Sequence, residues 1–231
     1  MTYQPLKWNI SALLSLKNDK ADLVRLFNET NLDKVERFTF ERAFAIAKDM
    51  QRDKIYKPAV LDLGSSGGVF SLIIKMLLDA HVTSIDDDRY IDVQGENAES
   101  SIVKMHERLK MGNIHGVTPR NISIEEFLNN CPSCPLYDSI LLLNVLHHFY
   151  TGYGQCSEHG KMNLDEVTKL LRKIGDITTK SLYFEINSLV INDYETYLSD
   201  IMYAANFSRL EYISRSTATD GTIRALWCFK K

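Results

Sequence analysis

Several features that would fix a function class at once are missing from this chain. Residues 1–20 contain no basic start followed by an unbroken apolar stretch, so no export signal is expected there. No membrane span is expected either. The most apolar segments, 69–78 and 140–146, are interrupted or fall far short of the ~20 residues a spanning helix needs. Neither sign of charge dominates: 27 Lys and Arg stand against 30 Asp and Glu, so the chain carries no basic field of the kind that draws nucleic acid or anionic membranes. The four cysteines, with no export signal, are expected as reduced thiols in the cytoplasm and exclude a disulfide scaffold. There is no internal repeat and no low-complexity tract.

What is present suits one well-buried core. The 231 residues are 45% hydrophobic and 25% charged, enough for a single domain with a small appendage. Over residues 8–50 the apolar positions recur at roughly helical spacing: Leu13, Leu14 and Leu16, then Leu23, Val24 and Phe27, then Val35, Phe38, Phe40, Ala43, Phe44 and Ala47. A break is expected over 28–33, and Pro58 marks a boundary near 54–58. The chain therefore divides into a helical cap over 1–54 and a main domain over 55–231.

In the main domain strands and helices alternate. Strands are expected over 59–63, 82–85, 137–146 and 181–186, with helices over 69–79, 96–111, 164–174 and 194–205. Two closing strands, 209–214 and 224–229, flank the turn Asp220-Gly221. This order implies an α/β fold, a doubly wound and mostly parallel sheet covered on both faces.

The chemistry-bearing residues stand at strand ends, where ligands bind in open α/β sheets. Val60-Leu61-Asp62-Leu63-Gly64-Ser65-Ser66-Gly67-Gly68 forms the first strand-to-helix turn. Its glycines let backbone pass close to a ligand, and the following helix offers free N–H groups. Asp62 would repel a pyrophosphate and attract a ligand bearing an ammonium or sulfonium group. The turn lacks the G-x-G-x-x-G spacing of dinucleotide sites, which counts against a nucleotide-dependent oxidoreductase. Asp86, in Ser84-Ile85-Asp86-Asp87-Asp88, follows Gly64 at the distance where an acid would hold a ribose diol.

With these residues the chain, from Val60 to its end, resembles the class I S-adenosylmethionine-dependent methyltransferases, whose Rossmann-like sheet has seven strands. The resemblance implies S-adenosylmethionine as cofactor. Asp62 with Gly64, Ser65, Ser66 and Gly68 would cradle its methionine part, and Asp86 would hold its ribose hydroxyls. Asn121 or Ile122, after the third strand, would lie near the adenine. The middle glycine of the family's turn is here Ser66. Tyr137 to Phe149 resembles the family's fourth-strand motif and puts Asn144 near the methionine end.

His147 and His148 follow that strand, where an acceptor would sit. A neutral imidazole whose pKa lies near physiological pH could take a proton from an acceptor hydroxyl, and either histidine could serve. The Gly- and Tyr-rich loop 150–160 is expected to cover the acceptor, and Glu185 to open on the same rim. A zinc site from Cys131, Cys134, Cys156 and His159 is rejected. The fourth strand would hold the two pairs about 20 Å apart, against metal–ligand distances of about 2.3 Å. No metal is assigned, although His147, His148, His159 and Glu185 share one rim.

The expected activity is methyl transfer to an oxygen or nitrogen of a small molecule or a glycan. The His-His pair, the later His-Gly and the next helix resemble methyltransferases of bacterial surface polysaccharides. An RNA methyltransferase would need a basic face that the acidic net charge disfavours. The small-RNA terminal enzymes would need a Glu-x-x-Glu-His run, which is absent. A non-catalytic cofactor-binding subunit is disfavoured by Asp62, Asp86 and the histidine rim.

Overall fold

Local sequence sets the elements and one sheet gathers them. The structure is a computed structural model; it describes Thr30 and residues 37–88, 99–132, 136–152, 161–187, 194–217 and 221–231. In chain order the elements are α1 (Arg37–Arg52), β1 (Ala59–Leu63), α2 (Val69–Leu78), β2 (His81–Asp86), α3 (Ser101–Met111), β3 (Val117–Asn121) and α4 (Ile124–Asn130). There follow β4 (Tyr137–Leu143), α5 (Leu146–Thr151), α6 (Leu164–Ile177), β5 (Thr178–Asn187), α7 (Tyr194–Ala204), β6 (Arg209–Thr217) and β7 (Ile223–Lys230).

Helix starts follow capping chemistry. Ser100 and Ser123 accept the N–H of Val103 and Glu126, which opens α3 and α4. Asn163 and Glu166 form a reciprocal capping box at α6, whose Val167, Leu170, Leu171 and Ile174 make one buried face. Two helices were not expected from the sequence, α4 and α5, of seven and six residues. Both are too short for periodicity to stand out.

The seven strands form one sheet in the order β3-β2-β1-β4-β5-β7-β6, parallel except for β7, which runs antiparallel to both β5 and β6. This is the doubly wound, mostly parallel seven-stranded fold expected. The closing pair β6 and β7 is antiparallel, with Thr217 paired to Ile223 and Gly221 between them at positive φ.

The core lies on both faces. One face packs Val60, Val82, Tyr183 and Leu226 against α1, α2 and α3. The other packs Leu61, Leu63, Ile140, Leu142 and Phe184 against the helices from α4 to α7. Alternate residues of β1 and β4 thus serve opposite cores, which is why both strands read as continuous apolar runs.

The expected cap over 1–54 is described from Arg37 onwards. There α1 buries Phe40, Ala43, Ile46, Ala47 and Met50 in the core that α2 also fills. Below them Asp49 accepts hydrogen bonds from the Tyr183 hydroxyl of β5 at 2.8 Å and from Lys230 Nζ of β7 at 2.6 Å. No described helix is long and apolar enough to cross a membrane.

Candidate functional site at the strand ends

The strand order reverses between β1 and β4, so the chain turns away from the crevice on both sides of that point. The turn after β1 lines one side and the turn after β4 the other. Gly64 and Ser65 both donate their N–H to the Ile85 carbonyl at 2.9 Å, which folds the glycine turn back onto the end of β2. Gly64 has φ +74°, and a Cβ there would stand 2.5 Å from a methyl of Val145, so the β1 and β4 turns touch backbone to side chain. Gly68 has φ +77°, and a Cβ would strike Met105 of α3 at 2.7 Å. Ser66, where the related turn carries glycine, also adopts positive φ, +48°. The turn thus keeps the glycine backbone shape at a non-glycine position.

Asp62 is turned inward. It is only 3% exposed, and its Oδ2 accepts the Ser71 hydroxyl at 2.6 Å. The Ser71 hydroxyl also meets that of Ser84 at 2.7 Å, because β1 and β2 pair Asp62 with Ser84 side by side. The Ser71 backbone N–H bonds the same carboxylate, so Asp62 ties down the first turn of α2, whose N-cap Gly68 has no side chain to do so. Burial, opposed by the Ser71 hydrogen bonds, pushes the Asp62 carboxyl up to about 7.

Asp86 meets the turn from the other side. Its Oδ2 accepts the Ser66 N–H at 2.7 Å and its Oδ1 the Asp88 N–H at 3.0 Å. Burial raises its pKa, and these two backbone donors work against the rise. Asn121 pairs with Asp86 across the β2–β3 ladder, and Ile122 donates its N–H to the Asp86 carbonyl at 3.1 Å. Asp86, Asn121 and Ile122 therefore form one continuous edge, with Asn121 exposed and Ile122 half-buried.

After β4, Asn144 sits at φ +59° and donates its N–H to the Glu185 carbonyl at 2.9 Å. Its Oδ1 is buried with no hydrogen-bond partner, and so is Ser65 Oγ on the facing turn. His147 and His148 lie in α5, their ring centroids 3.9 Å apart. His147 Nδ1 is a third buried atom without a partner. Burial, helped by the charges of His148 and Arg224, lowers His147 to about 4; burial also lowers His148. Both imidazoles are held neutral, and His147 lies well away from the near-neutral value on which its role as a base was argued. Tyr150 begins the expected acceptor loop within α5, while residues 153–160 lie outside those described.

Glu185 corrects an expectation. It does not open on the rim but is fully buried, its carboxylate held by Arg42 of α1 and, at 3.4 Å, by Arg224 of β7. Arg42 also lies over the Phe70 ring at 5.2 Å. A carboxylate engaged by two guanidiniums is not a free metal ligand. Among the described residues no group of three or more His, Cys, Asp or Glu side chains converges on one point. Cys131 lies at the end of α4, before β4 begins, while Cys134, Cys156 and His159 fall outside the described residues.

Three participants were missed in the sequence. Ser71 lies in an unremarkable apolar helix, and Arg42 is one of many charged residues in its segment. Arg108 of α3 donates a hydrogen bond to the Gly67 carbonyl from 41 residues away, with no local signal at all.

No family model matches the chain, and no curated protein matches it. Solved structures do resemble it. The bifunctional kinase-methyltransferase WbdD superposes with a TM-score of 0.57 at 18% identity over 92% of this chain, which spans only 40% of the WbdD chain. The magnesium protoporphyrin IX methyltransferase ChlM from Synechocystis PCC 6803, solved with bound SAM, gives 0.56 at 14% identity, with both chains fully covered. The 16S rRNA N2 G1207 methyltransferase RsmC of T. thermophilus, in complex with AdoMet and guanosine, gives 0.56 at 14% identity over 86% of this chain and 44% of its own. The fold of this chain is the one these methyltransferases share.

Proposed function

We propose that the chain is a class I S-adenosylmethionine-dependent methyltransferase acting on an oxygen or nitrogen of a small molecule or glycan. The observation that carries this reading is the pairing of two facing turns. Positive-φ Gly64 and Gly68 let the turn after β1 close against Val145 and Met105, and the buried Ser65 Oγ and Asn144 Oδ1 on the two facing turns lack partners. Buried polar atoms without partners are costly, and a ligand bearing an ammonium group would satisfy both.

When bound, the cofactor supplies an electrophilic methyl carbon on a sulfonium, which passes to an acceptor lone pair as the C–S bonding pair returns to sulfur. The residues of this chain then bind and orient. Asp86 has lone pairs left to accept from ribose hydroxyls while it holds Ser66, and Asn121 and Ile122 lie along the same edge for the adenine. Asp62 anchors α2 beneath the turn and, if ionised, adds negative charge near a cationic ligand.

The neutral imidazole of His147 or His148 takes the acceptor's proton. A base of low pKa serves here because a hydroxyl becomes strongly acidic as it gains the methyl group. The free, buried thiol of Cys228 fits a cytoplasmic location.

Thermal unfolding tests the reading. S-adenosylhomocysteine should raise Tm, while NAD and NADP should not. Stabilisation by the dinucleotides alone would overturn it.

A further inference from the structure

A second cavity, of about 340 Å³, opens among α5, α6 and α7 next to the strand-end crevice. His147 joins the two: it lines this cavity, and it stands three residues beyond Asn144, with Val145 between them packed on Gly64. The floor is buried Leu171 and Ile201. Tyr150 and Tyr197 form aromatic walls, their ring centroids 6.4 Å apart at 63°.

Polar groups are few among the described lining residues, and two of them have no partner: the buried Nδ1 of His147 and the buried hydroxyl oxygen of Tyr197. Among the described residues the only charged side chain in the lining is Asp200, exposed at the rim, and neither Lys nor Arg lines the cavity.

These features select a ligand. The volume lies at the small end for small-molecule sites, enough for about one ring system. Apolar and aromatic walls cannot replace the many water contacts of a sugar, so a glycan would lose hydration without compensation. A lone carboxylate at the mouth repels phosphate and carboxylate groups and tolerates neutral or cationic ones. One hydroxyl, which both donates and accepts, is the smallest group able to serve an imidazole nitrogen and a phenol together.

We infer that this cavity is the acceptor subsite and takes a single-ring aromatic hydroxy compound, neutral or positively charged. The inference rests on the methyltransferase reading for its role as acceptor subsite, and on the lining residues alone for its ligand. It narrows the acceptor from small molecule or glycan to a phenol-like small molecule.

The test uses the full chain and three probes, 4-methylphenol, tyramine and 4-methylphenyl phosphate, titrated calorimetrically with and without S-adenosylhomocysteine. The first two should bind saturably and the phosphate at least about tenfold more weakly, a difference of ~1.4 kcal/mol. Asp200→Lys, at an exposed rim position, should weaken tyramine and strengthen the phosphate. Thr168→Trp, which fills the cavity from a half-buried position on α6, should abolish binding of all three. Both variants should bind S-adenosylhomocysteine as the parent chain does, which also reports that they are folded. Equal affinity for the three probes, no saturable binding, or binding undiminished in Thr168→Trp would each overturn the subsite. Failure of S-adenosylhomocysteine to bind the parent chain would instead remove the methyltransferase reading, while the probe titrations still decide the cavity.

Discussion

Asp86 Oδ2 accepts the backbone N–H of Ser66 at 2.7 Å, so the acid at the end of β2 holds the turn that follows β1. One carboxylate thereby couples the two halves of the proposed cofactor site. Asp86→Ala removes both this tether and the proposed charge-assisted acceptor for the ribose. Affinity for S-adenosylhomocysteine should fall by about tenfold or more, in line with the ~1.5–3 kcal/mol of a hydrogen bond to a charged group. Calorimetric titration measures it, and unchanged affinity would take the ribose away from Asp86.

Gly64→Ala places a methyl group at positive φ and against Val145 at once. The two effects together should destabilise by about 2–4 kcal/mol in urea unfolding. Val145→Ala in the same chain should recover part of that loss, giving a double variant more stable than the sum of the single changes allows. Strict additivity would mean that the two turns do not press on each other.

Replacing both His147 and His148 with Gln should slow methyl transfer while leaving S-adenosylhomocysteine affinity largely intact, because both residues follow Asn144 on the proposed acceptor side. Turnover measured with radiolabelled cofactor on an identified acceptor checks this. Unchanged turnover would remove the base role.

Buried Asp62 and half-buried His147 should give opposite pH slopes of stability. Asp62 titrates near 7 when folded against 3.8 in a free chain, so it favours the folded state most below 3.8, and that benefit is lost as pH rises towards 7. His147 titrates near 4 against 6.5, so its contribution is complete above 6.5 and lost as pH falls towards 4. Over the shared window the two oppose each other. Asp62→Asn should therefore make stability rise more steeply with pH there, and His147→Gln should make it fall. Urea midpoints across that window, with identical slopes for parent and variants, would contradict this.

Glu185→Gln leaves Arg42 and Arg224 facing a neutral amide in a fully buried place. A loss of about 3–5 kcal/mol is expected, because two guanidiniums lose their buried counter-charge. A change within experimental error would mean that Glu185 is not what balances the two arginines.

The parts of the site that sequence made legible are those built within one strand-turn-helix unit. Asp62 to Gly68 is a single stretch of chain in which strand end, positive-φ turn and helix start follow one another, so residue type and spacing suffice. Asp86 is legible because β2 follows the next helix at a set distance, and Asn144 because an unbroken apolar strand leads to it. The N-terminal region was harder to place. The apolar spacing of Phe40, Ala43, Phe44 and Ala47 told of a helix, but not that the helix completes the same core as α2.

By itself the sequence determined the alternation of strands and helices, the doubly wound sheet and the glycine turn with its two acids, since periodicity and turn chemistry are local properties of the chain. Only the tertiary structure decided what surrounds each charge. It turned Asp62 towards Ser71, closed Glu185 between arginines 143 and 39 residues away, and half-buried His147 so that its proton affinity dropped. Desolvation and ion pairing depend on which distant segments are packed together, and that is a property of the fold rather than of any stretch of sequence.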